Sequence, residues 1–138
     1  MSRYGLFKQG SICYAVPLLH LRKIVHERAG YLLPQLPTSV AEVLVDEGLL
    51  IPLLRFSFLS EGEPSERQAE YKVFAESEGG LVAFPAELTS GIIAQNKGEL
   101  LPPGEEKIPG IDGSFNYQGK EFKILDINYL AIGMTQEV

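Results

Sequence analysis

Residues 34–56 read PQLPTSVAEVLVDEGLLIPLLRF. Within this stretch, two apolar runs at 43–45 and 49–54 flank the tripeptide Asp46-Glu47-Gly48. Glycine adopts the positive φ of a tight turn without steric cost, so the pattern predicts a β-hairpin. Just before the hairpin, Ser39 and Glu42 have the spacing of a capping box, which predicts a short helical turn over residues 38–42.

Residues 11–16 predict a strand that lies before this hairpin. One face of the segment carries the larger side chains, Ile12, Tyr14 and Val16, and the other carries Ser11, Cys13 and Ala15. A period of two residues is that of a half-buried strand. Residues 4–9 predict the strand that precedes it, with a turn at Gly10.

Glycine and proline residues divide the rest of the chain into short apolar runs, which is typical of a protein built from strands and tight turns. Residues 71–75 and 81–84 predict two strands joined by a turn at 78–80. Residues 115–117 and 121–127 predict a closing hairpin around Gln118-Gly119, and residues 95–109 predict a long loop. Residues 60–70 hold four glutamates and no large apolar side chain, so they predict an exposed loop between two halves of the molecule.

Two segments are ambiguous. Leu18, Leu21 and Val25 fall at helical spacing, but the same stretch also fits a strand, and its period does not separate the two. Residues 128–134 predict either the last strand or a short turn.

Composition places the chain among globular proteins. Its 138 residues suffice for one ordinary domain or for two very small barrels that share a core. A net charge of −6 gives no electrostatic footprint for nucleic acid and no attraction to an anionic membrane surface. The single cysteine, the lack of a signal-peptide pattern and the lack of an apolar run of about 20 residues predict a cytoplasmic protein without membrane insertion.

The sequence predicts no catalytic, metal or cofactor site. His20 and His26 are six residues apart, which is not the spacing of a helical metal pair. No phosphate-binding loop or nucleophile elbow is present. Cys13 lies inside an alternating strand and predicts a buried, inert thiol. Asp126 predicts a carboxylate paired at a strand end, because no second carboxylate nearby could divide acid and base roles with it.

The order of these segments resembles the CheW-like family of chemotaxis coupling proteins. The opening of the family is similar to residues 4–7, 14–17 and 21–25, and its closing segments are similar to residues 108–111 and 124–127. The central family pattern runs Pro-x-x-Pro, an apolar position, a glycine, apolar-apolar-Asn-Leu-Arg-Gly and then x-Ile-Ile-Pro-Val-Ile-Asp-Leu. The positions that fall in register with it, without a gap, are Pro34, Pro37, Val40, Val43, Leu44, Gly48, Leu50, Ile51, Pro52, Leu53, Leu54 and Phe56.

The resemblance implies an all-β fold of two packed SH3-like five-stranded β-barrels with short helical turns. It also implies that the two barrels form a single domain over residues 1–138, with a boundary loop near residues 60–70. It also implies a non-enzymatic adaptor that joins the cytoplasmic tips of chemoreceptors to the regulatory domain of a CheA-type histidine kinase. Such an adaptor has no cofactor and is recruited to membrane receptor arrays from the cytoplasm.

Two alternatives stay open. One is a small-ligand-binding or enzymatic β-barrel, and the other is a decoy adaptor that binds a single partner. An enclosed pocket with convergent polar groups would favour a ligand, whereas a flat apolar patch rimmed by charges would favour a protein partner.

Three charged positions depart from the family pattern. The family has a glutamate where this chain has Lys23, an arginine where it has Glu47 and an aspartate where it has Arg55. Lys23 and Glu47 stand at positions that the family uses around its partner-binding surface. We expect that surface to include Leu21, Ile24, Gly48 and Arg55 as well.

The reversed charges suggest two hypotheses. Lys23 and Glu47 could form an ion pair of exchanged polarity, with Arg55 as a rival partner for Glu47. The chain could also be a divergent paralogue that serves a dedicated kinase or receptor set, since a reversed charge repels a partner built for the usual sign. Unrelated drift of exposed charges explains the same substitutions equally well.

Overall fold

Two β-sheets pack against each other. The computed structural model describes residues 2–26, 29–56, 69–105 and 108–135. In chain order, the strands of these ranges are β1 (Arg3–Gln9), β2 (Ile12–Pro17), β3 (Leu21–His26), β4 (Val40–Asp46), β5 (Leu49–Leu54), β6 (Tyr71–Ser77), β7 (Gly80–Ala86), β8 (Leu88–Ala94), β9 (Glu99–Leu101), β10 (Ile111–Tyr117) and β11 (Lys120–Leu125). A 3₁₀ turn covers Gln95–Lys97, and helix α1 covers Ile127–Thr135.

The first sheet takes strands from both ends of the chain, in the order β8-β1-β2-β11-β10-β9. The second sheet is built from the consecutive strands β3 to β7, which are arranged in the order β3-β6-β7-β5-β4. The chain therefore passes from one sheet to the other after β2 and returns after β7. Because β5 and β6 belong to the same sheet, the boundary predicted near residues 60–70 does not separate the sheets. Residues 57–68 themselves lie outside the described residues.

Three apolar clusters divide the interior. A shared core lies between the sheets and is made by Phe7, Tyr14, Val16, Val40, Leu54, Phe56, Val73, Ala75, Val82, Phe84, Ala86, Leu125, Ile127, Leu130 and Ala131. Each sheet also wraps around a smaller cluster. The first barrel encloses Tyr4, Leu6, Ala15, Phe115, Phe122 and Ile124. The second barrel encloses Leu44, Ile51, Leu53, Phe74 and Ala83. The predicted fold class, two packed SH3-like barrels, is confirmed.

Strand β2 is buried on both faces, not on one. Tyr14 and Val16 point into the shared core, while Ala15 and the partly buried Cys13 pack inside the first barrel. The alternation in the sequence was therefore one of side-chain size, and the smaller side chains fill the narrower interior. The Tyr14 hydroxyl donates a hydrogen bond of 2.9 Å to the backbone oxygen of Pro85, which ties β2 to the second sheet.

Both predicted hairpin turns are confirmed. Glu47 and Gly48 have φ angles of 50° and 80°, and Gln118 and Gly119 have 50° and 78°. Two successive residues with positive φ make a type I′ turn, whose twist matches that of the flanking strands.

Two helix-or-strand predictions are corrected. Residues 38–42 are not helical: Thr38 and Ser39 form a single turn, in which the N–H of Val40 donates to the oxygen of Pro37 at 3.0 Å, and β4 begins at Val40 and pairs with β5. Residues 127–135 form α1, not a strand or a short turn. The Asp126 carboxylate accepts the backbone N–H of Tyr129 at 3.1 Å and caps the helix. The ambiguous stretch at 21–26 is strand β3, which pairs with β6.

The predicted loop over 95–109 is interrupted. Residues 99–101 form β9, which pairs with β10, and residues 106–107 lie outside the described residues. Residues 88–94, for which the sequence predicted no element, form β8. The first sheet therefore has six strands and the second has five, where five were predicted in each.

Candidate partner-binding surface

The residues predicted to bind partners lie on the second barrel or at its margin. Leu21, Lys23 and Ile24 belong to β3, and Glu47 and Gly48 form the turn between β4 and β5. Leu21 is partly buried against the shared core. Ile24 is exposed, and so are both turn residues.

An ion pair joins the two edges of the second sheet. The Nζ atom of Lys23, on the edge strand β3, lies 2.6 Å from Oδ2 of Asp46, on the opposite edge strand β4. The Lys23 ammonium is also 5.7 Å from the centre of the Phe74 ring. The Asp46 side chain is only 10% exposed, against 42% for Lys23. The pair therefore closes the sheet into a barrel, with the acid on the inside and the base at the surface.

The hypothesis of a Lys23–Glu47 ion pair is wrong, because in the described part of the chain Lys23 pairs with Asp46, the residue before Glu47. Glu47 takes a positive φ at the tip of the hairpin and is exposed. Arg55 is no rival partner. It follows β5 at the far end of the hairpin, about 20 Å from the turn at the rise of a strand, and its backbone N–H donates to Ser39. The structure thus brings Lys23 next to the turn and leaves Arg55 apart.

The end of this hairpin forms an exposed apolar surface, which we name the hairpin-tip patch. It consists of Val45 and Leu50, beside the turn at Glu47. Val45 and Leu50 face each other across the two strands and are 44% and 67% exposed. Leu49, which is 55% exposed, is the cross-strand partner of Asp46 and points to the other face of the hairpin. Exposed apolar residues that cluster beside a charge are typical of a protein-binding surface.

A second apolar surface is an open groove of about 930 Å³ on the first barrel. Its lining combines the beginning of β1, the turn between β2 and β3, the segment around β9, and one residue each from β10 and β11. The residues are Ser2, Arg3, Tyr4, Pro17, Leu18, Leu19, His20, Leu100, Leu101, Pro102, Asp112 and Ile124. Leu19 is 84% exposed, so the groove faces solvent.

Backbone hydrogen bonds hold one wall of this groove. The N–H of Leu18 donates to the oxygen of Arg3 at 2.8 Å, and the N–H of Leu21 donates to Leu18 at 3.1 Å. His20, which follows Leu19 in the same turn, makes two hydrogen bonds to Glu76 on β6. The backbone oxygen of His20 accepts the backbone N–H of Glu76 at 2.7 Å, and Nδ1 of the His20 ring donates to the backbone oxygen of Glu76 at 2.8 Å. The turn that presents Leu18 and Leu19 is therefore fixed to both sheets.

The polar groups of the groove lie at its rim. Arg3 and Asp112 are exposed and carry opposite charges. Burial raises the pKa of the Tyr4 hydroxyl, and the nearby carboxylate of Asp112 raises it further, so this hydroxyl stays protonated at neutral pH. An apolar floor with one charge of each sign at the rim fits a peptide or protein segment better than a small polar molecule.

The remaining candidate residues have structural partners. Nε2 of His26 lies 2.9 Å from the Glu70 carboxylate, and both side chains are about half exposed. Cys13 is partly buried against the core of the first barrel. Within the described ranges, no three His, Cys, Asp or Glu side chains come together to hold a metal ion. No helix in the same ranges is long and apolar enough to cross a membrane.

Sequence reasoning missed the groove. Its walls come from segments far apart in the chain, so no local pattern contains it. One signal was available, because Leu18-Leu19 and Leu100-Leu101 each adjoin a proline, outside any alternating strand pattern. Leu18 and Leu19 lie in a turn, and Leu100 and Leu101 lie in a three-residue edge strand, and both are places where a core position is unusual.

Comparisons with known proteins agree with this architecture. The family model described as "CheW-like domain" matches residues 3–132. A solved structure, the scaffolding protein TtCheW from Thermoanaerobacter tengcongensis, superposes with a TM-score of 0.78 at 14% identity, over 94% of this chain and 91% of that one. No curated protein matches the chain. Because the family model covers nearly all of both barrels, the chain belongs to the CheW-like family of chemotaxis scaffold proteins.

Proposed function

We propose that this protein is an adaptor that couples the cytoplasmic tips of chemoreceptors to the regulatory domain of a CheA-type histidine kinase. It acts without catalysis, at receptor arrays on the cytoplasmic side of the membrane. The observation that carries the proposal is the presence of two separate exposed apolar surfaces, the groove on the first barrel and the hairpin-tip patch on the second. An adaptor has to hold two partners at once, and it needs one surface for each.

We assign the groove to the receptor tip. Its leucines stand on two walls, from the turn before β3 and from β9, and leave an apolar channel between them. An amphipathic helix fills such a channel with the apolar residues of one face. Arg3 and Asp112 at the rim then meet the polar residues on the flanks of that helix and set its direction.

We assign the hairpin-tip patch to the kinase regulatory domain. Val45 and Leu50 supply the apolar centre of the contact, and Glu47 supplies the charge beside it. A specific complex of this kind buries about 1,200–2,000 Å² in total, which is more than one hairpin tip offers. Neighbouring residues of β3, including Ile24, therefore belong to the same interface.

The charges of this patch support a divergent choice of partner. The Lys23 ammonium is engaged by Asp46 at 2.6 Å, so the exposed charge at the hairpin tip is the carboxylate of Glu47. The family pattern has an arginine at that position. A regulatory domain with an acidic residue opposite the usual arginine would be repelled here, and one with a basic residue would be favoured.

Substitution of one leucine in each surface tests the adaptor role. Leu19→Glu in the groove should weaken receptor binding by at least about tenfold and leave kinase binding unchanged, because it places a charge in an apolar contact. Leu50→Glu in the patch should have the opposite effect. Leu32→Glu is the matched control, since Leu32 is 81% exposed and lies outside both surfaces. Calorimetry with purified receptor tips and regulatory domains measures each affinity.

Several results would contradict the assignment. Loss of both affinities in a single folded variant would mean that the two surfaces are not separate sites. Binding of one partner class only, by the unmodified protein, would identify a decoy adaptor. Tight binding of a small metabolite in the groove, in competition with the receptor tip, would support the ligand-binding alternative.

The divergent partner choice has its own test. The chain should bind one of the CheA-type regulatory domains encoded in the same genome more tightly than the others, and Glu47→Arg should shift that preference towards the others. Glu47→Gln separates loss of the negative charge from gain of a positive one. Equal affinity for every regulatory domain, before and after the change, would remove this part of the proposal and leave the adaptor role in place.

A further inference from the structure

Strand β8 is an open edge of the first sheet. It pairs with β1 on one side and is the terminal strand of the sheet order. Its first five residues, 88–92, are all exposed. The strand reads LTSGIIA and contains no charged residue and no proline. An exposed edge strand of this composition is a template for pairing with another strand.

The other three edge strands of the described chain are protected in ways that β8 is not. Strand β3 carries Arg22 and Lys23, which pair with Glu76 and Asp46. Strand β4 is covered in part by Tyr31, which forms a bridge to Val43. Strand β9 is only three residues long. Charged side chains, a covering segment and short length are the devices by which natural sheets avoid edge-to-edge pairing.

The part of β8 that can accept a new strand is its second half. A β-bulge interrupts the pairing with β1 near Ser90, and the register is regular from Gly91 to Ala94. The Gln95 N–H donates to the Ser2 oxygen at 2.9 Å. Because N–H groups alternate in direction along an antiparallel strand, those of Gly91 and Ile93 also face β1. The polar backbone groups of Ile92 and Ala94 therefore face outward.

We propose that a second copy of this chain pairs with β8, antiparallel, about a two-fold axis at Ile92. The strand is complementary to itself in this arrangement. Glu87 stands just before β8, and Lys97 ends the 3₁₀ turn that follows it, so antiparallel pairing brings the acidic end of each copy to the basic end of the other. The neutral residues between them place no like charges opposite each other.

The pairing also covers apolar surface. Ile92 is 52% exposed and Leu88 is 56% exposed. At the axis, the two Ile92 side chains are direct cross-strand neighbours, and the outward N–H and C=O groups of each Ile92 bond to the other copy. The first sheets of the two copies then form one continuous sheet. This dimer goes beyond the proposed adaptor function and does not depend on it.

Disulfide trapping tests the geometry. Ile92→Cys in a Cys13→Ser background should give a covalent dimer under mild oxidation, since hydrogen-bonded antiparallel partners have Cα atoms about 5.5 Å apart, within disulfide range. Leu32→Cys in the same background is the matched control, because Leu32 is more exposed and lies far from β8 in sequence. Cross-linking of Ile92→Cys no faster than this control would overturn the proposal.

Sedimentation equilibrium of the full chain over a concentration series tests the energetics. The unmodified protein should dimerise, and Ile92→Lys should raise the dissociation constant by at least about tenfold, because it sets two like charges on the axis. Lys97→Glu should weaken the dimer too, since it makes both of the ends that meet acidic. Circular dichroism confirms that the variants are folded. A protein that stays monomeric at every concentration, or an Ile92→Lys variant that dimerises like the unmodified one, would overturn the proposal.

Discussion

At the scale of single residues, the ion pair between Lys23 and Asp46 is the contact that the sequence pattern came closest to identifying. The reversed charges correctly marked Lys23 and the β4–β5 turn as neighbours. The pattern could not choose between Asp46 and Glu47, because adjacent residues of a strand point to opposite faces and the turn decides which one points inward. Asp46 is buried and Glu47 is exposed, so one carboxylate is structural and the other is available to a partner.

The first prediction separates these two carboxylates. Lys23→Met keeps an unbranched side chain over Phe74 but removes the cation beside a carboxylate that is 10% exposed, so we expect it to lower the free energy of unfolding by about 1–3 kcal/mol. Glu47→Gln should change it by less than about 0.5 kcal/mol, because Glu47 is exposed. Urea denaturation followed by circular dichroism measures both.

Adding Asp46→Asn to Lys23→Met is the control for this prediction. It should restore part of the lost stability, because the double change leaves no buried carboxylate without its cation. An equal loss in the Glu47→Gln and Lys23→Met variants would contradict the assignment of Asp46 as the structural partner.

At the scale of secondary-structure elements, local rules gave the correct result where the element is built from local contacts. The sequence predicts hairpins at Asp46-Glu47-Gly48 and at Gln118-Gly119, because the glycine and its position between apolar runs are visible in the sequence. The structure adds that both turns are of type I′. Strand β8 was not predicted, since it lies at a sheet edge with an exposed face and lacks the alternation of a half-buried strand.

Helix α1 shows a signal that was present but unused. Asp126 stands three residues before Tyr129, whose N–H it accepts, and the spacing of Ile127, Leu130 and Ala131 is helical. These three residues are buried against the shared core. The sequence predicts a strand or a short turn over residues 128–134, and the cap residue is the signal that favours a helix instead.

The second prediction concerns the turn between β10 and β11. Gln118 has a φ of 50°, which asparagine adopts more readily than glutamine, so Gln118→Asn should stabilise the protein by a few tenths of a kcal/mol, about 0.5 at most. Gly119→Ala should destabilise it by about 1 kcal/mol, because Gly119 has a φ of 78° and no atom within 4 Å of an added Cβ. Thermal unfolding of both variants measures the difference.

Gly104→Ala is the matched control for the turn prediction. An added Cβ at Gly104 also meets no atom within 4 Å, but its backbone is not in the left-handed region, so stability should stay nearly constant. Destabilisation at Gly104 equal to that at Gly119 would mean that loss of glycine itself, not the positive φ, is the cause.

At the scale of the whole molecule, composition and period predict a small all-β protein, whereas the resemblance to the CheW-like family implies two packed barrels, and the three clusters match that arrangement. The assignment of strands to barrels could not be predicted from the sequence alone. Strand β11 pairs in parallel with β2, although the two strands lie near opposite ends of the sequence, and no local pattern encodes such a contact. For the same reason no local pattern contains the groove, which joins β1, β9 and β11.

The third prediction uses Tyr14, which links the two sheets. Its ring lies 5.4 Å from that of Phe7 and 4.7 Å from that of Phe56, and complete burial raises the pKa of its hydroxyl well above 10. The folded protein keeps this hydroxyl neutral where the unfolded chain ionises it. Tyr14 therefore contributes stability that is present below pH 10 and is lost progressively as the pH rises above 10.

A spectrophotometric titration of the tyrosines checks this sign. One of the six tyrosines should ionise only when the protein unfolds at alkaline pH, and Tyr14→Phe should remove that delayed absorbance change. Tyr14→Phe should also cost about 1 kcal/mol at neutral pH, because it deletes the hydrogen bond to Pro85. Tyr31→Phe, at an exposed position, is the control and should leave the delayed change in place.

The order of strands has a consequence for biosynthesis. All strands of the second barrel are available once the ribosome has released residue 86, whereas the first barrel must wait for β10 and β11 near the end of the chain. Domains fold as units during synthesis, and contacts between distant segments form slowly. The nascent chain therefore holds a closed second barrel beside an incomplete first one, with β2 unpaired on the side that β11 will occupy. That interval is the period in which this protein most needs a chaperone.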